Sequence, residues 1–279
     1  MLASHLVHMK APLPSFWWSW VSSTFYGQFL LTVRQRLTPT ERHNGARANE
    51  KETSRKYTKE QIESILREED FEYHRVNLPY GLCTSGMDRS PTSDLIFPES
   101  LVGKTVLDVG CGLGVFCFDA EARQASRVVG LELKDSRLRK AFLLKDILDS
   151  KVEFQQRDIL CHPLKETFDY VLLLNVIHHL KTPQQFLRQL ASITRERLII
   201  EFPTFADPKF KKLIGSIFPF WYNRLPLIGV SSLSKADQTF VFTPSAIKAI
   251  LLEHEHLFSR VDIIKSPLRG RALAVCHKK

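Results

Sequence analysis

The run VLDVGCGLG carries Asp108, Gly110, Gly112 and Gly114 where an apolar, strand-like segment gives way to a helical one. Glycines at such a turn let the backbone approach a ligand closely and aim helix N-terminal amides at it. The spacing G-x-G-x-G is a weak signal by itself, and two acids sharpen it. Asp108 precedes the first glycine by two residues, and Glu132 ends the next strand 18 residues after Gly114. An acid at that position accepts hydrogen bonds from both hydroxyls of a ribose. The G-x-G-x-x-G dinucleotide pattern is not met, because position 115 is valine, and this demotes a nicotinamide or flavin reading. Further along, the pair Asp158 and Ile159 follows a third strand and Asn175 a fourth. His178 and His179, in NVIHHLKTP, come just after it, at the carboxyl edge where open α/β sheets bind ligands. A histidine there is a candidate base for a hydroxyl or acidic N–H, and equally an ordinary structural residue. Glu201 ends the fifth strand near the same mouth. Tyr80, Asp88 and Arg89 sit in a preceding turn-rich stretch of a kind that often lines sites, though turn-stabilising roles suit them as well.

These groups need a scaffold that brings them to one edge, and the periodicity after Gly103 supplies it. TVLDVG (105–110), RVVGLEL (127–133), KVEFQQ (151–156), FDYVLLLN (168–175) and RLIIEF (197–202) are short apolar, β-branched runs, each separated by a helix-length segment. That alternation predicts a parallel sheet covered on both faces. Helices are expected over Arg137–Leu148 and Pro183–Ile193, the second opening with proline after Thr182. Another is expected over Thr243–Leu257 with Thr243 as N-cap, and Arg260–Lys265 and Arg271–His277 read as two closing strands. Ahead of the core, Lys59–Phe71 reads as a short helix in which Thr58 and Gln61 have capping-box spacing.

With Asp108, the glycines, Glu132, Asp158-Ile159 and Asn175 in this order, residues 95–279 resemble the class I S-adenosylmethionine-dependent methyltransferases. The resemblance implies an α/β, Rossmann-like seven-stranded sheet, here with an N-terminal helical extension and a lid insertion, and S-adenosylmethionine as cofactor. It implies that Gly110, Gly112 and Gly114 pack under the amino-acid part of the cofactor while Asp108 holds its ammonium, directly or through water. Glu132 holds the ribose. Asp158 accepts from the adenine amino group, Ile159 supplies an amide and an apolar face, and Asn175 bounds the methionine end. For Asp158 a helix-capping role is the plainer alternative. A narrower resemblance, carried by EYHRVNLPYGLCTSGMDRSP, GKTVLDVGCGLG and NVIHHLKTPQQFL, is to the methyltransferase-like enzymes that carboxymethylate tRNA wobble uridine and to their small relatives. Where that group places a tyrosine that holds an extra cofactor carboxylate, this chain has His178. The departure implies ordinary methyl transfer, without marked preference for a carboxylated cofactor.

Composition bounds the rest. The chain has 279 residues, 39 Lys and Arg against 30 Asp and Glu, and 12 glycines, which excludes collagen-like, disulfide-scaffold and wholly disordered classes. Cys83, Cys111, Cys117, Cys161 and Cys276 form no C-x-x-C pair and suit a reducing, cytoplasm-like compartment; no metal site is legible. Residues 203–279 hold 12 basic and five acidic side chains, +7 of the net +9, which favours anionic partners or simply a solvated face. Residues 11–33 lack charge and include Trp17, Trp18 and Trp20, so the expected aromatic helix (1–37) docks on the protein, lies on a membrane surface, or spans a bilayer. A polar linker (38–59), a pre-core helix and substrate-side loop (60–100) and the methyltransferase domain (101–279) follow. In the lid insertion (203–242), Lys211, Lys212 and Arg224 interleave with Phe218, Phe220, Trp221 and Tyr222, suiting a substrate lid, a membrane or a nucleic acid. The function expected is methylation of a small or lipid-like molecule in the cytoplasm, with possible peripheral membrane contact. The alternatives are modification of tRNA and a catalytically silent binding module.

Overall fold

The computed structural model describes residues 56–208, 223–230 and 240–279. The aromatic segment, nearly all of the polar linker, and residues 209–222 and 231–239 of the insertion lie outside the described residues. Among the described residues there are nine strands: β1 (Thr105–Val109), β2 (Arg127–Leu131), β3 (Glu153–Gln155), β4 (Phe168–Leu174), β5 (Thr194–Pro203), β6 (Ile228–Val230), β7 (Phe240–Phe242), β8 (Arg260–Lys265) and β9 (Arg271–His277). Seven of them form one sheet in the order β3-β2-β1-β4-β5-β9-β8, and β6 and β7 form a separate antiparallel ribbon within the insertion.

The central strands are apolar on both faces because both are covered. In β4, alternate residues divide between two cores. Val171 and Leu173 pack with Leu107, Val109 and Leu131, whereas Tyr170, Leu172 and Leu174 pack with Val106, Val128 and Phe116. The sheet is parallel through β5, as the alternation of strands and helices predicts. β9 then runs antiparallel to both β5 and β8. Only residues 266–270 join β8 to β9, too few for the crossover that a parallel pair needs.

The helices are α1 (Lys59–Glu68), α2 (Ser90–Ile96), α3 (Val115–Ala122), α4 (Asp135–Leu148), α5 (Pro183–Ile193) and α6 (Pro244–Lys248). Thr58 and Gln61 form the expected reciprocal capping box on α1. The expected helix over 243–257 is α-helical only to Lys248 and continues as a π-helical turn, Ala249–His254, along which Ile250 and Leu251 stay buried. α2 falls where the sequence reads only as turns. It starts with Pro91 in its first turn, and the Asp88 carboxylate accepts from the Ser90 amide (2.9 Å) just ahead of it.

The segment before the core is packed rather than loose. Ile62, Phe71, Val76 and Leu78 form a third core with Leu113 of the glycine turn and with Leu144 and Ile147 of α4. Among the described residues, no helix is long and apolar enough to cross a membrane.

Candidate active site at the carboxyl edge of the sheet

The glycine turn leaves β1 under close constraint. Gly110, Gly112 and Gly114 have φ of 80°, 60° and 83°, a region that L side chains rarely adopt. At Gly112 a Cβ would lie 2.8 Å from the ring of Tyr73, and at Gly114 it would lie 2.5 Å from the ring of Phe154. The turn is held from below by the Gly110 and Cys111 amides, which donate to the Leu131 carbonyl (2.8 and 2.9 Å). It is held from the side by Glu132, whose Oε2 accepts from the Gly112 amide (2.9 Å) and whose Oε1 accepts from the Lys134 amide (2.9 Å). Each of these oxygens keeps a second lone pair, which is what a ribose with two hydroxyls requires.

Asp108 is buried in the same corner, only 1% exposed, with the Cys117 thiol 3.7 Å from its Oδ2. Burial pushes its pKa up to about 7, the thiol opposing and Glu132 adding to the rise. A buried carboxyl with so weak a partner favours a cation brought to it. The ammonium of S-adenosylmethionine fits that demand, and the glycine turn and Glu132 fit its amino-acid and ribose parts.

Asn175 is in the left-handed region at φ 57°, and its Nδ2 donates to Glu201 Oε2 (2.5 Å). Glu201 is the hub of the mouth. It is fully buried and also accepts from Arg89 Nη2 (2.6 Å) and, at Oε1, from the Ser266 hydroxyl (2.5 Å). Arg89 is 3% exposed and lies over the ring of Phe116 at 5.2 Å. Four of the residues singled out from sequence, Asp108, Arg89, Asn175 and Glu201, are thus gathered with Glu132 at one edge.

The others are placed differently. Asp158 turns its carboxylate onto its own chain, accepting from the Leu160 amide (2.9 Å), and Ile159 is buried with its carbonyl accepting from the Gln189 amide. Asp88 is exposed and serves the start of α2. Tyr80 donates to the Tyr57 carbonyl (3.1 Å) and packs on the third core. His178 is buried in the turn Ile177–His179 after β4, its ring 4.1 Å from that of the exposed His179.

Three residues here have no spacing signal in the sequence. Tyr73 and His74 lie over the glycine turn, the His74 Cε1 being 3.6 Å from a Cβ built on Gly112. Burial, together with the charges of Arg89 and Arg137, draws the His74 pKa down to about 3, so the ring is neutral near pH 7. Arg271 enters from the start of β9, 3.5 Å from Asp207. The motif EYHRVN contains His74, but only the fold shows that it covers the turn.

Residues 101–214 match a family described as a methyltransferase domain. The sheet order and the glycine turn with Asp108 and Glu132 fall within or beside the stretch that matches a methyltransferase domain, 114 of the 279 residues. Among curated proteins the chain is 36% identical over 93 residues to the ubiquinone biosynthesis O-methyltransferase of Pseudomonas entomophila (strain L48), covering 32% of this chain and 39% of that protein. It is 32% identical over 111 residues to the tRNA U34 carboxymethyltransferase of Pseudoalteromonas translucida (strain TAC 125), covering 37% and 34%. The chain spans about two fifths of the length of the first curated relatives it matches. Among solved structures, the N-terminal domain of EvdMO1 with SAH bound superposes with a TM-score of 0.56 at 15% identity, over 80% of this chain and 98% of that one, which is a likeness of fold.

Proposed function

We propose that the protein transfers the methyl group of S-adenosylmethionine to a small or lipid-like acceptor at the carboxyl edge of β4 and β5. The observation that carries this reading is the buried Asp108 carboxyl beside a left-handed glycine turn tied to Glu132, a set that answers the ammonium and the ribose of one cofactor. When bound, the cofactor supplies a methyl group on a sulfonium, an already activated leaving group. What remains for the protein is to align the acceptor in line with the methyl and to exclude water. Tyr73 and His74 cover the turn on one side, and the Arg89–Glu201–Asn175 network fixes the floor of the mouth. His179, exposed beside His178, is the base candidate for a hydroxyl acceptor. Apolar surface on the insertion, where Ile228 and Val230 are 47% and 72% exposed, favours an apolar acceptor or a membrane surface beside the mouth.

Calorimetry with S-adenosylmethionine and S-adenosylhomocysteine tests the reading. Wild type is expected to bind both. Glu132→Ala removes a charge-assisted ribose contact of about 1.5–3 kcal/mol, weakening binding roughly 10- to 150-fold. Absence of binding by wild type overturns the proposal.

A second reading, modification of tRNA, is favoured by the similarity to the tRNA U34 carboxymethyltransferase and by the basic last 77 residues. On the small-acceptor reading, filter binding of tRNA is expected to be weaker than micromolar. Micromolar or tighter binding that falls steeply with salt would instead mark counterion release from a phosphate backbone and favour tRNA.

A further inference from the structure

Two guanidinium groups at the mouth, that of the buried Arg89 and that of the half-buried Arg271, each keep a buried N–H without a hydrogen-bond partner, Nε of Arg89 and Nη1 of Arg271. A buried donor left unpaired costs about 1–3 kcal/mol, more for a charged group, so two together point to an acceptor brought from outside. The strand register links them. Glu201 pairs with Leu273 and Pro203 with Arg271, so alternation sets the side chains of Glu201 and Arg271 on the same face of the sheet. That face also carries Phe116, over which Arg89 lies. Ser266 ties the corner, its amide donating to the Arg271 carbonyl (3.3 Å) and its hydroxyl to Glu201.

The two donors choose the ligand. Arg89 is matched by Glu201 at 2.6 Å and Arg271 by Asp207 at 3.5 Å. His74 is neutral, and Asp108 is reserved for the cofactor's ammonium. A guanidinium N–H bonds most strongly to an anionic oxygen, and a planar carboxylate offers one oxygen to each arginine. Position then separates Arg271 from the cofactor's own carboxylate, whereas Arg89 reaches both sides, its charge acting on Asp108 as well. β9 stands three strands from β1 in the sheet, roughly 14 Å at about 4.8 Å per strand. A carboxylate on the same carbon as an ammonium held at Asp108 belongs beside β1, whereas Arg271 lies on the acceptor's side.

We infer that Arg89 and Arg271 form a carboxylate-binding subsite for the methyl acceptor, which makes that acceptor a small or lipid-like acid. The inference rests on the methyltransferase reading and narrows it. Burial lowers the readiness of Arg271 to hold its charge, with Asp207 and Glu201 opposing and Arg89 adding to the effect, and a bound carboxylate relieves the strain between the two cations.

Ligand-observed NMR on the full chain saturated with S-adenosylhomocysteine tests it, with benzoate as the probe and benzamide as its uncharged control. Benzoate is expected to bind the complex at least tenfold more tightly than benzamide. Arg271→Met is expected to lose that preference while its S-adenosylhomocysteine affinity stays within twofold of wild type. If Arg271→Met does not fold, Arg271→Lys, which keeps the charge but not the Nη1 donor, is expected to weaken benzoate at least threefold. Equal binding of benzoate and benzamide, or a preference that survives these substitutions, overturns the subsite. Displacement of benzoate by S-adenosylhomocysteine would give the two arginines to the cofactor's carboxylate and overturns its assignment to the acceptor. Failure of S-adenosylhomocysteine to bind wild type is a separate result, which sinks the methyltransferase reading while the benzoate comparison on the protein alone still reports on the subsite.

Discussion

Glu201→Gln is expected to lower the stability of the folded domain by about 3–5 kcal/mol, because it leaves the buried Arg89 guanidinium without a counter-charge. Both partners are withdrawn from solvent, at 3% and 0% exposure, and lie 2.6 Å apart, so water cannot replace the lost carboxylate. For a domain of this size that corresponds to a fall in Tm of roughly 10 °C. Glutamine keeps one oxygen for the Arg89 and Asn175 donors at the Oε2 position, while the Ser266 hydroxyl, which donates to Oε1, must turn to accept from the new NH2, so the effect reports chiefly the charge. The double variant Arg89→Met/Glu201→Gln removes both charges and is expected to recover most of the loss, since uncharged replacements of a buried pair are often nearly neutral. Thermal denaturation of the four proteins in the cycle checks this. A single Glu201→Gln variant within about 1 kcal/mol of wild type would show that the pair is not isolated from water.

The second large effect is a pair of opposing pH dependences. His74 has a folded pKa of about 3 against an ordinary value of 6.5, so between these the unfolded chain binds more protons and stability rises with pH. Asp108 has a folded pKa of about 7 against 3.8, so across that interval the folded chain binds more protons and stability falls as pH rises. Each contributes up to about 1.4 kcal/mol per pH unit, roughly 4 kcal/mol over its window. From about pH 4 to 6.5 the two nearly cancel in wild type. His74→Gln exposes the Asp108 slope, and the variant is expected to lose stability from pH 4 to 7. Asp108→Asn exposes the His74 slope and is expected to gain stability up to about pH 6.5. Urea denaturation across this range measures both. Parallel slopes in the two variants would refute the assignment. Ionisation of Asp108 to meet an ammonium also predicts that cofactor binding near pH 6 releases a proton, visible as a dependence of binding enthalpy on the buffer.

Most of the scaffold is legible in the sequence because its signals are local. The β1 turn, the Thr58 capping box and the boundaries of α5 follow from residues within a few positions of each other. α2 is hidden because Ser90, Pro91, Thr92 and Ser93 read as turn formers, and the contacts that make them helical, such as the Ser93 hydroxyl to Asp119, come from elsewhere in the chain. The site divides along the same line. Asp108, the glycines and Glu132 stand out because a glycine turn at a strand end, with an acid ending the next strand, is a compact pattern in the sequence. Arg271 and His74 do not, because their relation to the site is made only when β9 pairs with β5 and the pre-core segment folds over Gly112. Asp158 shows the opposite limit, since its motif position suits a cofactor while its carboxylate is engaged with the Leu160 amide.

The bond from Arg89 to Glu201 joins residues 112 positions apart, and it crosses the boundary at residue 101 where the family likeness begins. The stretch that buries this charge pair is therefore longer than the stretch that carries the likeness. A fragment cut at residue 101 would keep the glycine turn and the later motifs but lose the run EYHRVNLPYGLCTSGMDRSP. It would lose the counter-charge of Glu201, the cover over Gly112, and the apolar partners of Leu113, Leu144 and Ile147. A change in the pre-core segment that removes Arg89 would leave the buried Glu201 carboxylate without its counter-charge unless Glu201 changed with it. The stability of the core and the shape of the mouth therefore rest on the same buried pair.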